Sequence, residues 1–402
     1  MVGKVSRTLA PLCAVWLLLC AFVGSAAAQS YSTVLDVEFE DMDFSSRQLL
    51  TGTSGALNST YLYDNIYNDG TTQVDAIMTI TAISGGNVGN VDDDTSNAAR
   101  FQPQIGSTTG GGYVEFRFDF FDADDNRVAL ENFHVTGVDI DGNATYQEFH
   151  EIGGFASYTT DQTCDLTITE GSPLTRFSGT TNDLSGITFE NTAAYIANYE
   201  APVTRFTFRL GVTGNASNRQ FSLAIGTPAG TFSNPIVVSA PGVTISTPDS
   251  IVNSPFVVTA SFNGDVSGLT EGEILVDGGT VTASSLMSFG GLVYTFEVTP
   301  VTQGDITIRI PAGAAQSTST GLDNTNSNTL VVGFDSVPPD TTIPTTEPNP
   351  TNDTTGEFVF GSNESPVTYE CYFDMGTFAA CDQNYTTPAL SQGSHTIYVR
   401  AI

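Results

Sequence analysis

Lysine, tryptophan and histidine are almost missing from this chain. It has one lysine, Lys4, one tryptophan, Trp16, three histidines and five cysteines in 402 residues. Lys4, Arg7, Cys13, Trp16 and Cys20 all fall in an N-terminal stretch that reads as a cleavable leader, so the chain beyond it has no lysine, no tryptophan and three cysteines. Without lysine, Schiff-base chemistry is excluded. Positive charge is scarce throughout: 12 Lys+Arg stand against 44 Asp+Glu, a formal net charge of −32. With the leader removed, 10 arginines face the same 44 acids, giving −34. Such a surface repels phosphate backbones and anionic membrane surfaces, which excludes nucleic-acid binding. No G-x-S-x-G, G-x-G-x-x-G or P-loop pattern is present, so nucleophile-elbow and nucleotide readings fail as well. Disorder is not implied. A hydrophobic content of 40 % with 10 % aromatics can build cores, and charged residues make up only 14 %.

The leader has the three parts of a secretory signal. Lys4 and Arg7 form a basic region, Leu9 to Val23 is almost wholly apolar, and Ser25-Ala26-Ala27-Ala28 supplies small residues before an expected cleavage at Gln29. An uncleaved membrane anchor is the rival reading, but about 15 apolar residues fall short of the roughly 20 that span a bilayer. The mature chain is therefore expected outside the cytoplasm, secreted or at the cell surface, with no transmembrane segment.

What remains reads as strands. Val114-Glu115-Phe116-Arg117-Phe118-Asp119-Phe120 alternates apolar and polar residues, as do Arg205–Leu210, Gln220–Ile225 and Tyr294–Val298. Period-2 alternation marks half-buried strands, and Gly, Asn, Asp and Ser clusters at close intervals mark antiparallel sandwiches or barrels. The fold class is all-β. A Gly/Pro/Ser break at 227–235 and the proline-rich run Asp335–Pro350 divide the chain. The expected pieces are a signal at 1–28, an N-terminal sandwich at 29–226, a linker at 227–235 and a second module at 236–335. Residues 336–350 then form a proline-rich linker together with the start of a third module, which continues as a partial domain over 351–402.

Two of these pieces carry resemblances. Ser261-Phe262-Asn263-Gly264-Asp265-Val266-Ser267-Gly268-Leu269, Glu273–Val276, Tyr294–Pro300, Gly304–Ile308 and Ile310–Ala315 follow one another in an order that resembles bacterial Ig-like repeats of large secreted and surface proteins, over about residues 237–335. One departure is Asp323-Asn324-Thr325-Asn326, where that family shows an acidic-Gly-Asn turn. Tyr369–Asp374, Phe378–Cys381 and Gly393–Ala401 resemble a second Ig-like repeat family of exported proteins, over about 339–402. Both resemblances imply fold and no catalytic residues. Cys371 and Cys381 sit where the second family has cysteines, and an oxidising compartment permits their disulfide. Cys164 shares strand parity with Leu166 and Ile168 and is expected to stay reduced, pointing into a core. The third module reaches only Ile402 from near Pro339, short of a full Ig-like sandwich, so it reads as truncated with an open sheet edge. The N-terminal piece resembles, more loosely, the jelly-roll or lectin-like sandwiches that cap bacterial adhesins.

Acid clusters are the strongest chemical feature. Asp122, Asp124 and Asn126, and Asp139, Asp141 and Asn143, place hard oxygen ligands at alternate positions, as Ca²⁺ prefers, and calcium is the one candidate cofactor. Neither set completes an EF-hand loop, because the twelfth positions are Phe133 and His150. Around Gly137 the apolar parity flips, which suggests a bulge that would put Asp139 and Asp141 on one face. Asp92-Asp93-Asp94 is a third acidic run. Solvated turns are the plain alternative for all three.

Other motifs fail or stay ambiguous. Glu38 and Glu40 would share a strand face, as paired glycosidase carboxylates do, but their order does not match the E-x-D-x-x-E strand of laminarinase-like enzymes. His150-Glu151-Ile152-Gly153-Gly154 starts like a zinc-protease helix yet lacks the second histidine. His134 and His395 are expected in alternating strands as structural residues. Six Asn-x-Ser/Thr sequons, at Asn58, Asn143, Asn215, Asn352, Asn363 and Asn384, match roughly the number that chance gives. Sugar stacking would fall to Tyr61, Tyr63, Tyr67, Tyr113, Tyr158, Tyr195 and Tyr199, most of which are expected to be core or strand-surface residues. The resulting expectation is a non-catalytic adhesion or carbohydrate-binding protein whose partner is an extracellular glycan or cell-surface protein, with the Ig-like modules as spacers. Its rivals are an accessory region of a secreted polysaccharide-degrading enzyme, an enzyme with its site in the first 200 or so residues, and a structural coat component.

Overall fold

The computed structural model describes residues 31, 33–37, 41–92, 97–171, 173–344 and 351–402. The expected leader, the Glu38/Glu40 pair, Asp93 and Asp94, and residues 345–350 lie outside them. Apart from one 3-10 turn at Glu271–Glu273, all regular structure among the described residues is strand. The chain divides into two compact units, the first ending at Ser239 and the second comprising Ala240–Ile402 with Glu170–Pro173.

Two large sheets build most of the first unit, beside a three-stranded sheet of Ala216–Gln220, Gln104–Ser107 and Asn87–Asn90 and the parallel pair Thr33–Asp36 and Val128–Glu131. One has eight strands in the order Thr167–Thr169, Thr175–Ser178, Tyr146–Ile152, Arg205–Gly214, Gly112–Asp122, Gln73–Ser84, Thr60–Asn68 and Arg47–Thr51. Alternation dictates its inner face: Val114, Phe116, Phe118 and Phe120 are buried together with Phe206, Phe208 and Leu210 from the adjacent strand. The other sheet has six strands, in the order Pro235–Ser239, Ser157–Asp161, Tyr195–Tyr199, Phe133–Val138, Ser222–Gly226 and Arg100–Phe101. Aromatic contacts tie the two together. Phe101 meets Phe116 and Phe118 edge-on at 5.2 and 5.5 Å, and Phe177 stacks on Tyr195 at 3.9 Å. Each such ring removed from water stabilises the fold by roughly 1.5–3 kcal/mol, before aromatic geometry adds its share.

Three expectations about this unit need correction. The boundary at 226–236 moves to Ser239, because Pro235–Ser239 pairs along Ser157–Asp161 as an edge strand. The Asp161 carboxylate fixes that strand's entry by accepting the Asn234 N–H at 2.7 Å, and Pro235, which has no N–H to offer, suits the first position of an edge. The bulge at Gly137 is absent: the Phe133–Val138 strand pairs with Ser222–Gly226 without a register shift. Its parity flips because both of its faces are covered, and the chain leaves the sheet at Asp139, which takes a left-handed φ of 60°. Cys164 does not lie on a strand. Asp161 closes a turn over Thr163 and Cys164, regular pairing resumes only at Thr167, and the free thiol is half-buried rather than in the core.

Residues 240–335 of the second unit form a sandwich of their own. Val243–Ser246, Phe256–Phe262, Val293–Pro300 and Gly279–Val281 make one sheet; Ile251–Val252, Leu330–Phe334, Gly304–Arg309 and Leu275–Asp277 make the other. Ile245, Val258, Phe296, Ile306 and Ile308 fill the space between them. Asn324, the departure from the family pattern, is buried and ties its turn by accepting from Ala315 N–H and donating to Pro311 and Thr325 carbonyls.

The third module begins by Thr341, because Thr341–Thr342 pairs with Gly361–Ser362. Its core is small: Phe360, Tyr369, Cys371 and Ala401, with Ile343 and Val367 among the half-buried residues against it. A three-stranded sheet runs Ala379–Cys381, Tyr369–Phe373, Ile397–Ala401, and the Cys371–Cys381 disulfide joins its first two strands. His395 lies outside those strands and bonds Asp374 at 2.8 Å instead. A core this small leans on its crosslink. Replacing both cysteines (Cys371→Ser with Cys381→Ser) is expected to cost the third module about 2–3 kcal/mol by the chain-entropy account. Thermal unfolding followed by limited proteolysis checks it: the cleavage sites that open first should map to 351–402, and unchanged protection there contradicts the expectation.

Candidate functional site

The structure separates the six proposed calcium ligands into two turns and one buried cluster. Asp122 closes the turn after the Gly112–Asp122 strand, its Oδ1 accepting the N–H groups of Asp124 and Asn126 at 2.9 Å each, while the Asn126 amide lies 3.2 Å from Oδ2. Asn143 does the same one turn further on, accepting from Thr145 and Tyr146. Asp139 and Asp141 are instead buried. Among the described residues no three His, Cys, Asp or Glu side chains stand together as a metal-holding group.

The cation in the buried cluster is Arg219. Its guanidinium contacts Glu148 at 2.6 Å, Asp141 at 3.2 Å and Asp183 at 3.9 Å, and lies 4.9 Å over the Tyr146 ring. Asp141 also accepts the Leu184 N–H at 2.8 Å. Asp139 has no cation of its own, and its Oδ1 is buried without a partner. Burial, reinforced by the negative charge of Asp141 and opposed by Arg219, pushes Asp139 up to about 7. Burial also raises Glu148, to about 8, against the opposing hydrogen bond from Arg219. His150, on the strand beside Glu148, is fully buried and neutral, its Nδ1 3.3 Å from the Tyr195 hydroxyl. Burial drives its pKa down to about 3. Gly-Gly beyond it ends a strand, not a zinc-binding helix.

Surface chemistry gathers on the outer face of the eight-stranded sheet. Glu115, Arg209, Glu151 and Arg176 stand directly opposite one another on four neighbouring strands. Arg209 Nε reaches Glu115 at 2.8 Å and its Nη1 reaches Glu151 at 3.4 Å; Arg176 Nη2 reaches Glu151 at 2.6 Å. Thr81 extends the row by donating to Glu115 at 2.7 Å. One rank along, Tyr113, Gly211 and Phe149 lie side by side. Arg209 covers the Tyr113 ring at 4.7 Å and Arg176 covers Phe149 at 3.8 Å. Gly211 is obligatory between them, since a Cβ there would meet the Gly112 carbonyl at 2.3 Å and Phe149 at 2.6 Å. Further along, Asp119 receives Arg117, Arg127 and Arg205 at 2.8, 2.8 and 2.9 Å.

Of the seven tyrosines proposed for sugar stacking, Tyr61, Tyr63, Tyr67, Tyr158, Tyr195 and Tyr199 are buried, and Tyr113 alone is half-exposed. They are core residues because each occupies an inward parity. Arg117, Arg205 and Arg209 were present in the alternating runs, but only as the polar half of a strand pattern. Their signal was that three of so few arginines recur on two adjacent strands. A groove of about 910 Å³ opens in the second unit along Thr247–Val257 and Asp335–Pro339, but no histidine, cysteine or basic residue lines it.

No family model and no curated protein matches the chain. Among solved structures, the N-terminal domain of the Streptococcus gordonii adhesin Sgo0707 aligns over 72 % of this chain and 83 % of its own at 10 % identity, with a TM-score of 0.31. Dimeric latent PorU from Porphyromonas gingivalis aligns over 72 % of this chain and 28 % of its own, at 13 % identity and a TM-score of 0.18.

Asp139 makes stability pH-dependent in a defined direction. Between about pH 4 and pH 7 the native state keeps a proton that an unfolded carboxylate has released, so its contribution falls as pH rises through that window and is flat above it. Each tenfold difference in proton affinity is worth about 1.4 kcal/mol. Asp139→Asn should therefore gain stability over the wild type as pH rises from 4.5 to 7.5. Urea unfolding at those values checks it, and parallel pH profiles contradict it.

Proposed function

We propose that the protein is a non-catalytic adhesion-type protein, exported to the cell surface or beyond, that binds an extracellular glycan through the outer face of the eight-stranded sheet. Residues 240–402 then serve as spacer modules. The row Glu115–Arg209–Glu151–Arg176 beside Tyr113 carries this reading. Guanidinium forks and carboxylates held in fixed register offer donors and acceptors to sugar hydroxyls, and a half-exposed aromatic ring offers an apolar face. The same pairing speaks against proton-transfer chemistry. Glu115, Glu151 and Asp119 each hold an arginine, so their oxygens are already engaged as acceptors in ion pairs. The sequence features of a secretory leader and the Cys371–Cys381 disulfide support export.

A glycan array probed with the full chain, with and without Ca²⁺, tests the reading. Binding is expected to fall about tenfold or more in Tyr113→Ala, with the melting temperature changed by no more than a few degrees. A variant that retains wild-type binding removes this face from the function. Calcium enters through melting curves in CaCl₂, MgCl₂ and NaCl at matched ionic strength. A rise specific to CaCl₂ assigns Ca²⁺ to the acidic turns, and equal rises assign the effect to screening of the −32 net charge.

A further inference from the structure

Three arginines share one carboxylate in the first unit. Arg117 and Asp119 lie on the Gly112–Asp122 strand, and Arg205 lies directly opposite Asp119 on the next. Arg127 arrives from beyond the 122–126 turn, its guanidinium 5.1 Å from the Phe121 ring centre. Arg117 Nε contacts Asp119 Oδ2, while Arg127 Nη1 and Arg205 Nε both contact Oδ1, all within 2.9 Å. The Asp119 side chain is only 4 % exposed, whereas the arginine side chains are 32, 32 and 36 % exposed. Burial works to raise the Asp119 carboxyl, but hydrogen bonds from Arg127 and Arg205 outweigh it and hold it below the usual range.

One carboxylate neutralises one guanidinium. Glu115, two residues from Arg117 on the same face, is taken by Arg209 and Thr81, and Asp122 of the adjoining turn spends its Oδ1 on the turn's own N–H groups. Among the described residues the terminal nitrogens of Arg117 and Arg205 donate no hydrogen bond, although both side chains are half-exposed. A structural clamp for Asp119 needs one of these arginines. Three, drawn from 12 basic residues in a chain with 44 acids, gather positive charge at one place, where Arg117 and Arg205 keep open, forked donors.

We propose that Arg117, Arg127 and Arg205, organised by the buried Asp119, form a site that takes the carboxylate or sulfate group of an acidic saccharide. This names the ligand class for the sheet face assigned above and so rests on that reading. Forked guanidiniums match planar and tetrahedral oxyanions, and charge-assisted bonds are the strong ones. The site lies roughly 13 Å along the strand from the Glu115 rank, about three sugar units, so one chain can occupy both. At physiological salt the screening length is about 8 Å, which shields such a ligand from most of the protein's distant acids.

The test uses the full chain on surfaces bearing polygalacturonate, dextran sulfate, polyglutamate or neutral dextran. Both acidic polysaccharides should bind and neutral dextran should not. Arg117→Gln and Arg205→Gln should each weaken binding about tenfold or more, with Arg205→Lys recovering part of it. In parallel, sodium sulfate should raise the melting temperature of the wild type more than that of Arg205→Gln, with chloride at matched ionic strength as reference. Equal sulfate shifts, or unchanged affinity in both glutamine variants, overturn the anion site. A sulfate shift lost in Arg205→Gln without polysaccharide binding, or with polyglutamate bound equally well, overturns the saccharide assignment. Neutral glycans bound through Tyr113 with no effect of the arginine variants overturn this inference and leave the adhesion reading standing.

Discussion

The central strands of the eight-stranded sheet have to bury one face, and that constraint decides where their charge can go. Val114, Phe116, Phe118 and Phe120 take the inner side of a single strand, so Glu115, Arg117 and Asp119 are confined to the outer one. The same holds opposite, where Phe206, Phe208 and Leu210 face inward and Arg205 and Arg209 outward. Antiparallel register then sets acid against base across the face, Glu115 to Arg209 and Asp119 to Arg205. Cross-strand pairs of opposite charge add a few tenths of a kcal/mol to about 1 kcal/mol each. The aromatic core therefore carries the stability, and the charges it expels are what the sheet presents to a ligand.

Arginine's scarcity gives those charges meaning. In a chain this acidic, most carboxylates stay solvated. The few that hold a guanidinium mark places where the fold spends a limited resource. Arg219 is spent on buried acids, holding Glu148 and Asp141 together. Arg117, Arg176, Arg205 and Arg209 are spent on one outer face, each about a third exposed. The interior cluster contributes to stability and its pH dependence; the outer set is available to solvent and to partners.

Alternation made the strands and the all-β class legible, because period-2 patterning is a local property of the chain. The same locality hid the site. Asp139 and Asp141 looked like ligands on one face, but their surroundings are set by Arg219 and Leu184, which are far away in sequence. Alternation could not say which of the seven tyrosines stay accessible, and six of them are buried between the two sheets. The edge strand Pro235–Ser239 read as the start of the next module because its pairing partner, Ser157–Asp161, lies some 75 residues earlier. Cys371 and Cys381 were readable because only a hairpin separates them. Which residue meets which across a sheet is written in register, and register is a property of the whole fold.

Arginine footprinting of the full chain tests this account most directly. Phenylglyoxal modification, read by mass spectrometry with and without dextran sulfate, reports which guanidiniums a ligand covers. Protection is predicted at Arg117, Arg127 and Arg205, with Arg309 and Arg400 modified equally in both conditions. Protection confined to the second unit, or spread evenly over all the arginines, would contradict the assignment of binding to the outer face of the eight-stranded sheet.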